Sequence, residues 1–168
     1  MHKALIDTNV LLPYFLRSYD IDEPKLSKFS DSFDDLEIDR LIIHTSIFEE
    51  TGNLLKTAKG SILAKDIMSN IFEEPFEFVE SNQADRKKSL ELLKQHPAKE
   101  TDKGFKGIGV ADSLFILSAL QISKNIQFEK FSILTFDKDL VTALNSNIIG
   151  LGTHIITHPE LYNNRSRN

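Results

Sequence analysis

Two aspartates lie where apolar runs of the sequence end, a position at which carboxylates can do chemistry. Asp7 follows the short run of residues 4–6, and Asp137 follows the longer run FSILTF. In an open parallel sheet, functional sites form outside the carboxyl ends of the strands, so two such residues can face one crevice. Aspartate is also a favoured helix N-cap, and a helical pattern follows each position. Each residue alone therefore has an ordinary structural explanation as well.

A third acid, Asp112, lies in the segment GVADSLFILSAL. This segment is apolar almost all round, which is typical of a buried helix. Asp112 shares a helical face with Phe115 and Ile116, at spacings of three and four residues. It therefore either caps the start of the helix or is directed toward the interior. In the interior, a carboxylate would need a hydrogen-bond donor, a proton or a cation.

The fourth acid is one of two neighbouring glutamates, Glu49 and Glu50. Ser46 and Glu49 have the spacing of a capping box, which would give Glu49 a local function at the start of a helix. Glu50 instead shares a stripe with Ile47 and Leu54, the side expected to face the core. We therefore predict that Glu50 is the inward acid and keep Glu49 as the alternative.

These carboxylates would repel one another and raise one another's pKa values if the fold brought them together. A hard divalent cation such as Mg²⁺ or Mn²⁺ would resolve the repulsion, because it prefers carboxylate and water oxygens. Such ions can also activate a water and stabilise the attacking and leaving oxygens of a phosphodiester. The residues therefore predict metal-assisted hydrolysis, provided that they converge.

Short β-rich runs alternate with longer helical patterns, which predicts an α/β domain with crossover helices on a mainly parallel sheet. Strands are expected over 3–7, 41–45, 76–80, 131–136 and 154–157. Helices are expected over 10–19, 30–39, 47–59, 62–72, 85–95, 110–123 and 138–144. We expect one domain over residues 1–160, a flexible tail over 161–168, and a flexible glycine-containing loop over 99–109.

The 168 residues are 40% hydrophobic and 27% charged, with a net charge of −5 that argues against a general nucleic-acid binder. The charge is uneven, because residues 20–40 carry a local −5 and residues 86–106 a local +4. The basic segment is either a solvated helical face or a flank that grips a substrate backbone beside an acidic site. The absence of cysteine excludes disulfides and thiolate metal sites.

The five histidines are scattered, which favours structural or surface positions for them. The apolar run near the start is too short for a signal peptide, and no run approaches the ~20 apolar residues that a membrane span needs. We therefore expect a soluble, cytoplasmic protein that does not bind membranes.

Four features occur in the order typical of PIN-domain nucleases: LIDTNVLL, an inward glutamate that opens a helix, ADSLFILSAL and ILTFDKDL. The sequence resembles this family from Ala4 to about Leu140. The family includes the VapC-type toxins of toxin–antitoxin pairs. The resemblance implies a three-layer α/β/α fold with a central, mainly parallel sheet. It also implies a Mg²⁺- or Mn²⁺-dependent endoribonuclease.

The resemblance also assigns residues and partners. The acids that match the family's metal ligands are Asp7, Glu50, Asp112 and Asp137, and the residues expected to support them are Thr8, Asn9, Thr135, Asp139 and, as the alternative ligand, Glu49. Thr8 and Asn9 would lie beside Asp7, and Thr135 would position Asp137. The implied partners are an RNA substrate, a cognate antitoxin protein and a second copy of the chain.

Two other functions are considered. A phosphohydrolase of the haloacid-dehalogenase type also has an aspartate after its first strand, but it needs a second acid two residues later, where this chain has Asn9. A non-catalytic PIN-like module that holds RNA or a protein is the remaining alternative. It would show affinity without turnover.

Overall fold

The computed structural model describes residues 1–20, 22–70, 76–97, 99–102, 104–125, 130–147 and 153–162. The strands are β1 (His2–Ile6), β2 (Arg40–His44), β3 (Phe76–Val79), β4 (Lys99–Thr101), β5 (Gly104–Lys106), β6 (Lys130–Leu134) and β7 (Thr153–Ile156). The helices are α1 (Thr8–Leu16), α2 (Pro24–Asp34), α3 (Thr45–Lys59), α4 (Ser61–Ser69), α5 (Gln83–Gln95), α6 (Val110–Asn125), α7 (Lys138–Ser146) and α8 (His158–Tyr162).

A five-stranded sheet with the order β3-β2-β1-β6-β7 forms the centre of the molecule. All of its strand pairs are parallel. Helices flank the sheet, as crossover connections between parallel strands require. The predicted three-layer α/β/α fold with a central parallel sheet is therefore confirmed.

Continuous apolar runs explain why the three central strands form the interior of the sheet. Leu5, Ile43 and Ile133 are fully buried, one on each of β1, β2 and β6. A strand that is covered on both faces has no solvent side on which polar residues could alternate. Because β1 pairs with β2 on one side and with β6 on the other, its carboxyl end lies at the middle of the sheet edge.

The five predicted sheet strands are confirmed to within two residues at each end, and six of the predicted helices overlap the observed ones closely. The helix predicted over 30–39 is displaced, because α2 begins at Pro24 and ends at Asp34. Proline is favoured at the first helical position, where its missing N–H is not needed. Phe29 and Phe33 face the core from this helix. Glu37 has a φ of 50°, a left-handed conformation that a helix cannot continue.

Two observed elements differ from the expectations. The segment 99–109, expected to be a flexible loop, contains the antiparallel hairpin β4–β5. The end of the described chain forms α8, with Leu161 fully buried. The positions 71–72 of one predicted helix and 163–168 of the predicted tail lie outside the described residues. Among the described helices, none has the length and apolarity to cross a membrane.

Substitution of the fully buried Phe115 by alanine tests the core that supports the sheet edge. Phe115→Ala should lower the free energy of unfolding by about 3–5 kcal/mol, because the substitution removes buried apolar surface and leaves a cavity. Urea denaturation measures the destabilisation. Leu90→Ala is the control, since Leu90 is 58% exposed on α5. Equal destabilisation of the two variants would contradict this description of the core.

Candidate functional site

Asp7 lies at the carboxyl end of β1 and is the N-cap of α1. Its Oδ1 accepts a hydrogen bond from the backbone N–H of Thr8 at 2.7 Å. Its Oδ2 accepts one from the hydroxyl of Thr135 at 2.6 Å. The residue is only 4% exposed and forms no ion pair with the described residues, which is unusual for a carboxylate.

Asp137 follows the neighbouring strand β6 and is the N-cap of α7. Its Oδ1 accepts from the backbone N–H groups of Asp139 at 2.7 Å and Leu140 at 3.2 Å. The Thr135 hydroxyl that donates to Asp7 also accepts from the Asp137 backbone N–H at 3.1 Å. Both aspartates therefore cap helices, and they do so at the ends of two adjacent strands.

Asn9 and Asp139 hold the backbone around this pair of aspartates. The Asn9 side-chain oxygen accepts from the Phe136 N–H at 2.9 Å, which ties the first turn of α1 to the segment after β6. The Asp139 Oδ2 accepts from the Gly107 N–H at 3.0 Å, which ties α7 to the segment before α6. Both side chains fix connections between different parts of the chain at one edge of the sheet.

Asp112 is the third residue of α6 and is half-buried. Its Oδ2 accepts from the Gly109 N–H at 2.6 Å, so it satisfies a backbone donor at the start of its own helix. The charges of Asp137 and Glu50 also act on this carboxyl group. Of the two alternatives for Asp112, capping of the helix start and direction toward the interior, the hydrogen bond from Gly109 supports the first, and the side chain is half-buried.

Glu50 reaches the site from α3, where its Oε2 accepts from the Thr8 hydroxyl at 2.7 Å. Thr8 therefore contacts both Asp7, through its N–H, and Glu50, through its hydroxyl. Glu49 is exposed, and its negative charge acts on the His44 ring. Of the two glutamates, Glu50 is the one whose carboxylate joins the segment of Asp7.

The predicted capping box of Ser46 and Glu49 is wrong. Helix α3 begins at Thr45, and its N-cap is His44, whose Nδ1 accepts from the Ser46 N–H at 3.1 Å. Glu50 is also not directed into the core, because it is exposed. The buried positions of this helix are Ile47, Thr51 and Leu55. The physical reason is that β2 ends at a histidine that caps the helix itself, two residues earlier than expected.

Burial and neighbouring carboxylates raise the proton affinity of two of the acids, Asp7 and Asp112. Burial, together with the charges of Asp112 and Asp137, raises the pKa of Asp7 to about 7. The hydrogen bonds from Thr135 and Thr8 have the opposite effect, because they stabilise the carboxylate. Burial likewise raises the pKa of Asp112, with contributions from the charges of Asp137 and Glu50, while the Gly109 N–H opposes the shift. Acids from four separate segments of the chain therefore share one region of negative potential.

The residues suit a hard cation in their chemistry, because the side chains contribute only carboxylate, hydroxyl and amide oxygens. Within the ranges that the structure describes, however, no three His, Asp or Glu side chains are grouped closely enough to hold a metal ion. Each carboxylate oxygen that accepts one hydrogen bond retains a further lone pair, so these bonds do not block coordination.

Two contributions to this site were not predicted from the sequence. Thr135, expected to position Asp137, also donates to Asp7, and its place one residue after a buried strand was the available signal. Gly107 has a φ of 131°, which favours glycine, and its N–H reaches Asp139. Glycine spacing alone did not indicate that contact.

The raised pKa of Asp7 predicts how stability depends on pH without metal. Between about pH 4 and 7 the unfolded chain releases a proton that native Asp7 keeps, so the free energy of unfolding falls as pH rises through this window. Asp7→Asn removes that cost and can keep the acceptor for Thr8. In EDTA at pH 8, this variant should therefore melt at a higher temperature than the wild type.

Thermal denaturation followed by circular dichroism measures this effect. Asp31→Asn, on the exposed face of α2, is the matched control and should leave the melting temperature unchanged. A lower melting temperature for Asp7→Asn than for the wild type at pH 8 would contradict this prediction.

Comparison with known proteins agrees with the fold. The PIN domain family matches residues 4–143. One solved structure that matches is that of Mycobacterium tuberculosis VapC20, a sarcin–ricin loop cleaving toxin, with a TM-score of 0.58. The two sequences are 16% identical, and the match covers 83% of this chain and 94% of that chain. No curated protein matches the sequence significantly. The family match covers most of the chain, and the chain belongs to the PIN-domain family.

Proposed function

We propose that this protein is a metal-dependent endoribonuclease that hydrolyses RNA phosphodiester bonds. Its metal ligands and catalytic acids would be Asp7, Glu50, Asp112 and Asp137, with Mg²⁺ or Mn²⁺ as the cofactor. The observation that carries the proposal is that the buried Asp7 is acted on by the charges of Asp112 and Asp137, while Glu50 acts on Asp112 and contacts Thr8, the neighbour of Asp7. Membership of the PIN-domain family supports the same activity.

Each proposed ligand would be held by a contact within the chain. Thr135 would orient the carboxylate of Asp7 and the backbone of Asp137, and Thr8 would hold Glu50 toward Asp7. When bound, a divalent cation would neutralise these acids and lower the pKa of a coordinated water toward neutrality. The acids would also repel the RNA backbone without a cation, so both substrate binding and hydrolysis should depend on the metal.

The biological setting that we propose is a toxin–antitoxin pair. The likeness to VapC20, itself a sarcin–ricin loop cleaving toxin, supports this setting through the shared fold. The corresponding partners would be an RNA substrate, a cognate antitoxin and a second copy of the chain, all in the cytoplasm. The acids of the described chain do not form a close group, and this separation favours one alternative, a non-catalytic PIN-like module that binds RNA or a protein.

The primary test is cleavage of single-stranded RNA with Mn²⁺. The wild type should cleave, EDTA should abolish cleavage, and Asp112→Asn should lower the rate at least about a hundredfold, because a metal contributes several kcal/mol to the transition state. Gel analysis of labelled RNA measures the rate. Cleavage at full rate in EDTA and in Asp112→Asn would refute the mechanism. RNA affinity without turnover in the wild type would favour the binding module.

The two neighbouring glutamates provide a matched pair of variants. Glu50→Gln should lower the cleavage rate strongly, since the side chain that contacts Thr8 no longer carries a charge. Glu49→Gln removes the same charge one residue away and should change the rate by less than about threefold, because an exposed charge outside the site acts only through a screened field. Parallel rate measurements at equal Mn²⁺ decide between the two. A larger decrease in Glu49→Gln would assign the ligand to Glu49 instead.

A further inference from the structure

A cationic cavity lies beside the acids, between the end of α5, the β4–β5 hairpin and α7. Its volume is about 200 Å³. The side chains and backbone that form its polar wall belong to His96, Lys99, Lys106, Gly107, Asp139 and Thr142. A cavity of this size holds several waters or one phosphate group.

Two lysines face each other across the hairpin. Lys99 and Lys106 are directly paired in the antiparallel register, so their side chains lie on the same face of the ribbon. Like charges in this arrangement repel and destabilise the pair. Glu100 belongs to the next register position, so its side chain lies on the opposite face and cannot lie between them.

Neither lysine has an acidic partner among the described residues. The ion pairs found there join Lys3 to Glu77, Lys59 to Asp20 and His154 to Glu160. The acid in the cavity wall, Asp139, accepts from the Gly107 N–H and makes no ion pair with a lysine within the described part of the chain. Within the described chain, no carboxylate therefore forms an ion pair that would offset the repulsion between Lys99 and Lys106.

The cavity wall is connected to the candidate site through the backbone. Gly107 lies two residues before Gly109, whose N–H donates to Asp112. The backbone N–H of Asp139 donates to Asp137. These contacts connect the backbone of the cavity wall to two of the acids, Asp112 and Asp137.

We propose that this cavity is a subsite for a backbone phosphate of single-stranded RNA, adjacent to the phosphodiester that is cleaved. The proposal rests on the proposed nuclease function and adds the place where the substrate strand is gripped. Lys99 and Lys106 contribute two positive charges and Asp139 one negative charge, with histidine counted as neutral. The net charge of +1 matches a phosphodiester, which carries one negative charge.

The test removes both lysine charges and measures RNA binding against salt concentration. Lys99→Gln/Lys106→Gln is made in the Asp112→Asn background, so that RNA stays intact in Mg²⁺, and fluorescence anisotropy of labelled single-stranded RNA gives Kd. The slope of log affinity against log salt should become shallower by about 0.7, because one phosphate is no longer neutralised by the protein. Lys99→Arg/Lys106→Arg should retain the slope of the Asp112→Asn parent.

Lys87→Gln/Lys88→Gln is the matched control, because it removes the same charge from exposed positions of the same basic segment. This control should leave the slope unchanged. Equal slope changes in the Lys99/Lys106 and Lys87/Lys88 variants would show that the lysines act only through the overall charge of the basic segment. That result would overturn the proposal. An unchanged slope in Lys99→Gln/Lys106→Gln would also overturn it, as would binding of inorganic phosphate that depends on the lysines while RNA binding does not.

Two further readouts separate folding and activity from the subsite. Relief of lysine repulsion should leave the melting temperature of Lys99→Gln/Lys106→Gln at or above that of its parent, whereas a fall together with the slope change would indicate a structural function and overturn the proposal. In the nuclease assay, the same lysine substitutions made in the wild-type background should weaken cleavage of long RNA and spare a dinucleotide. Lysine-dependent RNA binding without wild-type cleavage would refute the nuclease function alone.

Discussion

The buried carboxylate of Asp7 is the constraint around which this part of the molecule is arranged. It lies at the centre of the sheet edge, 4% exposed, with hydrogen bonds from Thr8 and Thr135 but no ion pair within the described chain. Burial of a charge in this way is costly, which is why the pKa of the group rises to about 7. A protein that only needed a helix cap here could use serine or threonine at lower cost.

The surrounding contacts serve this carboxylate in a consistent way. Thr135 donates to Asp7 and accepts from the Asp137 backbone, so one hydroxyl fixes two acids on adjacent strands. Asn9 on α1 also connects the two strand ends, because its side-chain oxygen accepts a hydrogen bond from the Phe136 backbone. The other acids approach from α3 and α6, where Glu50 accepts from the Thr8 hydroxyl and Asp112 from the Gly109 N–H. The ends of two strands therefore carry two of the acids, and two helices carry the others.

Much of this arrangement could be predicted from the sequence. Apolar runs predicted all the strands of the main sheet, and the acids at their ends predicted the region of the site. The start of α3 could not be predicted from residue spacing, because the cap is His44, which the end of β2 places there. The bounds of α2 could not be predicted from residue spacing either, because the packing of Phe29 and Phe33 against the core determines where that helix lies. The hairpin is too short to leave a periodic pattern.

The strand order has a consequence for the protein during its synthesis. Asp7 emerges from the ribosome long before Thr135 and Asp137, which follow a strand made more than a hundred residues later. Because domains consolidate only when their distant pairings are available, the nascent chain lacks Thr135 and Asp137 until the segment after β6 has been made. A chain interrupted before that point carries Asp7 without the Thr135 hydroxyl that donates to it.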